Sequence, residues 1–270
     1  MNSQRRFAPK GVRNEPESVS GFIGISTQMD KNKIDKCVLL PIWKMVPICQ
    51  PQTIPNCFIY EIVQKYPEKF IGFASVEGFG EANLWTLKRE VKKYGLKGLK
   101  LHPILQNFHP NSKSLFPLYG YCEQEGLPIV FHTGEISGLG LDIKKASPAL
   151  ISPVARNFQR LKIVIAHSGR PSRNPERFKE ALEIAKKFSN IYLGFSYLTV
   201  ELVKKVIQEI GWDRCIFETD FPFGNMSETL RILQIACKEL DASSMRMDLI
   251  LYKNLFVLLN PYNYCELKKI

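Results

Sequence analysis

Pro128-Ile129-Val130-Phe131-His132-Thr133-Gly134 is a short apolar run, with β-branched Ile129 and Val130 at its centre, that closes on His132-Thr133-Gly134. Such a run between turn signals suits a strand buried on both faces, as in a parallel sheet. The unit recurs along the chain, as Cys37-Val38-Leu39-Leu40, Phe70-Ile71-Gly72-Phe73-Ala74, Gly98-Leu99-Lys100-Leu101, Leu161-Lys162-Ile163-Val164-Ile165, Asn190-Ile191-Tyr192-Leu193 and Arg214-Cys215-Ile216-Phe217. Stretches of helical period lie between. Residues 82–94 put Leu84, Leu87 and Val91 on one face, and 174–188 do the same with Phe178, Leu182 and Ala185, with Pro175 at the first helical position. Residues 199–210 present Leu202, Val203, Val206 and Ile207, and 227–240 follow a cap at Asn225 or Ser227. Gly95, Gly126 and Gly211 punctuate the helix-to-strand turns.

Strands alternating with helices through right-handed crossovers curl towards a barrel, a fold that takes about 250 residues. The chain has 270. Seven strands are legible where closure needs eight. Residues 15–31 read as a weak helix capped at Asn14, and Phe22-Ile23-Gly24-Ile25 is an alternative strand too close to Cys37 for a helix to intervene. The expectation is therefore an α/β chain, a (β/α)8 TIM-type barrel with its first strand missing or replaced. Residues 1–270 form one domain, with 1–28 a divergent or truncated start.

Composition narrows the class. Hydrophobic residues make up 45% and charged residues 23%, which excludes wholesale disorder. No apolar run reaches the roughly 20 residues of a membrane span, and the polar, basic start has no secretory h-region. Seven cysteines without a C-x-x-C pair read as free thiols in a reducing cytoplasm. The net charge of +11 is spread over lysines on outer helix faces and a basic start (Arg5, Arg6, Lys10, Arg13), with no aromatic stacking array. Nucleic acid is thus not the expected partner; a small molecule is, and a homodimer is left open.

The chemistry gathers at strand ends. His102, His132 and His167 each close or follow a strand, Asp220 follows Arg214-Cys215-Ile216-Phe217, and His109 lies in the loop beyond His102. In a (β/α) barrel those ends form the catalytic rim. Imidazoles and a carboxylate converging there make an N/O site for Zn²⁺, Fe²⁺ or Mn²⁺. A lone strand-end histidine is more often one that satisfies a backbone carbonyl, but three of them plus an aspartate favour a site. Lys100 shares a strand face with His102 and suits contact with a substrate. Arg170 suits a bidentate carboxylate. Glu135 could orient a substrate or form a surface pair, and Glu218 lies on the face of Asp220.

The segments Gly95-Leu96-Lys97-Gly98-Leu99-Lys100-Leu101-His102-Pro103, Leu127-Pro128-Ile129-Val130-Phe131-His132-Thr133-Gly134, Ile165-Ala166-His167-Ser168-Gly169-Arg170-Pro171 and Phe217-Glu218-Thr219-Asp220-Phe221-Pro222-Phe223-Gly224 resemble the strand-4, -5, -6 and -8 motifs of the amidohydrolase superfamily. The likeness is to its amidohydrolase-related barrel hydrolases and decarboxylases, and runs from about residue 29 to 259. The resemblance implies His132, His167 and Asp220 as metal ligands. It also implies Asp220 as proton acceptor and His167 as electrophilic donor, while His102, Arg170 and Lys100 stand beside them as candidate substrate contacts. It further implies a divalent ion, Zn²⁺ first, that activates water to hydrolyse a C–N or C–O bond. The alternatives are non-oxidative decarboxylation of a small carboxylic acid, and an inactive barrel kept for binding. In the family a strand-4 lysine can also be carboxylated to bridge two metals; for Lys100 a substrate-contacting ammonium is preferred.

One motif of the family has no counterpart, because there is no His-x-His anywhere in the sequence. That pair belongs on the strand that the count also lacks. The expectation is a truncated start that removed both, with true loss of the pair as the alternative; either leaves metal binding weak or partial, since catalytic zinc sites use three protein ligands.

Overall fold

Each of the seven apolar runs forms a parallel strand in the computed structural model, which describes residues 15–42, 54–76, 79–136 and 141–260. The strands are β1 (Cys37–Leu39), β2 (Phe70–Gly72), β3 (Leu99–Leu101), β4 (Ile129–Phe131), β5 (Ile163–Ile165), β6 (Ile191–Gly194) and β7 (Cys215–Ile216). The helices are α1 (Glu15–Asn32), α2 (Asn56–Lys65), α3 (Glu81–Tyr94), α4 (Phe116–Gln124), α5 (Ser152–Asn157), α6 (Pro175–Lys187), α7 (Val200–Ile210), α8 (Met226–Glu239), α9 (Ser244–Asp248) and α10 (Asn254–Leu259). β1 pairs with β2, and β3 to β7 pair in sequence order. Ala74 joins the two sheets, accepting from the Lys100 amide at 2.7 Å and donating to Gly98 at 2.8 Å. Strands laid side by side in chain order, with helices in the crossovers, make the wall of a TIM-type barrel.

Two apolar clusters show which way each strand residue faces. Leu99, Leu101, Ile129, Phe131, Ile163, Ile165, Ile191, Leu193 and Cys215 belong to the larger one, with the helices. Val130, Val164, Tyr192 and Ile216 alternate with them and join Val38 and Phe73 in the smaller cluster, the barrel interior. Lys100 is in register with Val130, and Val130 with Val164, so the lysine takes an interior position that its neighbours give to valine. Leu258 and Leu259 of α10 also pack into this interior.

Local signals explain the helix starts. Asn174, Thr199 and Asn225 each accept a backbone N–H in the first turn of α6, α7 and α8, an interaction worth about 1 kcal/mol. Gly95 ends α3 in the left-handed conformation, at φ 63°. No described helix is long and apolar enough to cross a membrane.

Residues 22–25 lie within α1 and form no strand. Ile25 and Met29 stand one helical turn apart, and Met29 is fully buried, so burial along a helical stripe outweighs a four-residue β-like run. Among the described residues no strand covers the outer edge of β7. The Phe217 amide donates to the Ile250 carbonyl at 3.0 Å, and Asn254 Nδ2 donates to Cys215 at 2.8 Å and Trp212 at 2.7 Å. That edge is held by the C-terminal helical segment. The expected cap at Asn14 and the basic start lie outside the described residues.

Candidate active site

Parallel register carries the rim residues into contact. His102 and His132 each lie two residues beyond a matched interior pair, Lys100 and Val130. Their rings stack 3.8 Å apart at 11°. His132 Nδ1 in turn lies 3.1 Å from His167 Nε2. His167 reaches inward because the chain after β5 turns through left-handed φ values at His167 (63°), Ser168 (46°), Gly169 (83°) and Arg170 (52°). For residues with a Cβ this costs roughly 1–2 kcal/mol each, and such strain collects at functional sites. Thr133 Oγ1 braces the turn, donating to Ala166 at 2.7 Å and accepting from the Gly169 amide at 2.9 Å.

Beneath His167 lies Glu218, which accepts from the His167 amide at 3.0 Å and approaches His167 Nδ1 at 3.2 Å. Ser196 Oγ is also 2.6 Å from that nitrogen. Burial holds all three rim histidines well below the usual imidazole pKa, and the nearby cation Lys100 adds to the effect. His167 is therefore neutral, and its contact with Glu218 is a hydrogen bond rather than an ion pair. With the His167 proton on Nδ1, Nε2 accepts from His132 Nδ1. This leaves His132 Nε2 as a bare acceptor, buried without a partner among the described residues. Glu218 is pushed up to about 7 by burial first and by Asp220 second.

Asp220 and Arg170 meet through Tyr197. The Tyr197 hydroxyl donates to Asp220 Oδ2 at 2.7 Å, and the Arg170 guanidinium lies 4.3 Å from the centre of the Tyr197 ring. Burial raises the Asp220 carboxyl, with the Tyr197 hydrogen bond acting the other way. Arg170 Nε is buried with no acceptor among the described residues. Lys100 is buried below, its pKa lowered by burial against the attraction of Glu218 and Asp220.

His102, His132, His167, Arg170, Glu218 and Asp220 thus meet at one rim, with Lys100 below them. His109 is exposed, and Glu135 accepts from Asn174 Nδ2 at 2.8 Å as a loop brace. Tyr197 and Ser196 were not among the sequence candidates. They follow β6 as the histidines follow their strands, and that position is the signal that could have found them.

A metal ion fits this arrangement only in part. Two nitrogens about 2.0–2.1 Å from one tetrahedral ion stand about 3.4 Å apart, so His132 Nδ1 and His167 Nε2 are spaced as two corners of a shell. Among the described residues, however, no three His, Cys, Asp or Glu side chains are placed to hold an ion. His167 Nδ1 is taken by Ser196 and Glu218, and Asp220 by Tyr197. The three-ligand set expected from the resemblance is not assembled.

A family model described as Amidohydrolase matches residues 46–254. The 2-amino-3-carboxymuconate-6-semialdehyde decarboxylase of Dictyostelium discoideum is 27% identical over 130 residues, 42% of this chain and 36% of that protein, so the match spans little more than a third of the relative. An uncharacterised TIM-barrel protein of Bordetella bronchiseptica superposes with a TM-score of 0.74 at 22% identity, covering 92% of this chain and 86% of that one. The 2,6-dihydroxybenzoate decarboxylase of Rhizobium superposes at 0.67 and 19% identity, covering 88% and 87%.

Proposed function

The chain belongs to the amidohydrolase family, and on that premise we propose that it removes CO2, without oxidation, from a small hydroxylated carboxylic acid. The observation that carries this reading is a pair of buried atoms on one rim with no partner among the described residues: Arg170 Nε, a donor, and His132 Nε2, an acceptor. A buried polar group without a partner costs about 1–3 kcal/mol, so each is stabilised by a ligand group of opposite character. A carboxylate suits Arg170. A neighbouring hydroxyl suits His132. The named activity of the Dictyostelium relative supports the same reading.

Loss of CO2 breaks the bond from the carboxylate carbon and leaves its electron pair on the substrate. A proton must then reach the substrate carbon that keeps this pair. Asp220, its carboxyl raised by burial, is the donor on the rim, and solvent restores its proton. His132 Nε2 accepts the substrate hydroxyl, fixing the ring against the stacked His102. Lys100 adds positive charge below.

The test offers 2,6-dihydroxybenzoate and measures CO2 release. Turnover by the wild-type chain, with kcat/KM reduced at least a hundredfold in Arg170→Met, is the expected result. Amine or alcohol released from amide and ester substrates, with no CO2 from the acid, would overturn it in favour of hydrolysis of a C–N or C–O bond, the first expectation from sequence.

A further inference from the structure

Tyr197 meets three residues of the rim. Its hydroxyl donates to Asp220 Oδ2 at 2.7 Å, its face carries the Arg170 guanidinium at 4.3 Å, and the His167 ring centre lies 5.5 Å away. The backbone there holds φ 62°, a left-handed value that a bulky side chain adopts only when its surroundings impose it.

The two contacts use different parts of the side chain, and each leaves its partner free to act. A cation–π contact takes up no acceptor atom, so the guanidinium can still offer N–H groups to a planar anion. Arg170 Nε is such a donor, still unpartnered among the described residues. A hydroxyl bonded to one Asp220 oxygen leaves the other free to carry the proton. We propose that Tyr197 is a positioning residue that fixes the cation receiving the substrate carboxylate relative to the acid that protonates the vacated carbon. The inference rests on the decarboxylase reading, and assigns the ring to substrate affinity and the hydroxyl to turnover.

Two substitutions separate these halves. Tyr197→Phe keeps the ring and removes the hydroxyl, whereas Tyr197→Leu removes both. With 2,6-dihydroxybenzoate as the probe, calorimetric titration gives affinity and CO2 release gives kcat. Tyr197→Phe is expected to bind within threefold of wild type while kcat falls at least tenfold. Tyr197→Leu is expected to bind at least tenfold more weakly. A purely structural role would move both variants alike, in step with their melting temperatures, and that result overturns the proposal. If Tyr197→Leu does not fold, Tyr197→Trp replaces it: the face is kept and the hydroxyl lost, so it must follow Tyr197→Phe in affinity and in turnover. Wild-type chain that binds the acid but releases no CO2 ends the decarboxylase reading alone. The binding comparison then still decides whether the ring sets Arg170, equal affinity of the Phe and Leu variants being the failure. Wild-type chain that does not bind the acid overturns both.

Discussion

Gly194 shows how closely the rim is fitted at the level of one residue. A Cβ added there would stand 1.8 Å from Glu218 Oε2 and 2.9 Å from its carboxyl carbon. The Glu218 side chain cannot simply swing away, because it accepts from the His167 amide and is buried against Ser196. Gly194→Ala is expected to destabilise the fold by about 1–3 kcal/mol, the usual cost of overpacking, as read by urea unfolding. Adding Glu218→Ala should recover part of that loss, since contacting residues are not additive. Full additivity of the two changes would show that the clash is relieved elsewhere. The sequence disclosed which residue types stand at this rim, because His102, His132, His167 and Asp220 each end or follow a strand. It did not disclose how they touch. The pairing of His132 with His167, and of Asp220 with Tyr197, depends on left-handed turns at His167, Arg170, Tyr197 and Asp220. A residue with a Cβ gives no sequence sign of that conformation.

At the level of elements, the seven strands were legible because each is a short apolar run between turn residues, and β3 to β7 are buried on both faces. α1 was legible only in part, as its 22–25 run fits either period until burial of Met29 decides it. The C-terminal segment was not legible as part of the wall. Asn254 looks like an ordinary polar residue in an apolar stretch, yet it is buried and donates to the Trp212 and Cys215 carbonyls beside β7. It does for that edge some of what a strand would do. Asn254→Ala removes both donors and leaves two carbonyls to find other partners, so a loss of about 2–4 kcal/mol is expected by urea unfolding. A loss below about 1 kcal/mol would mean that water reaches the edge of β7 and satisfies it, and that the segment only leans on the barrel through Leu258.

For the whole molecule, the wall and the metal question are one problem. Rim ligands in this architecture arrive on strand ends, so the number of strands limits the number of ligands. The described residues supply seven strands, and the outer edge of β7 is bonded to Ile250 and Asn254. No further strand among them brings another imidazole to His132 and His167. Two nitrogens 3.1 Å apart can share an ion, but doing so breaks their hydrogen bond, and a catalytic zinc usually has three protein ligands. Nor is Asp220 spare, since it is held by Tyr197. The 270-residue chain, dialysed against a mild chelator, should therefore retain well under half an equivalent of zinc by elemental analysis. Its residual zinc should fall further in His132→Ala and stay unchanged in His109→Ala, whose parent side chain is exposed in its loop. A full equivalent retained by the wild-type chain would mean that the rim rearranges around the ion, with His167 giving up its place between His132 and Glu218.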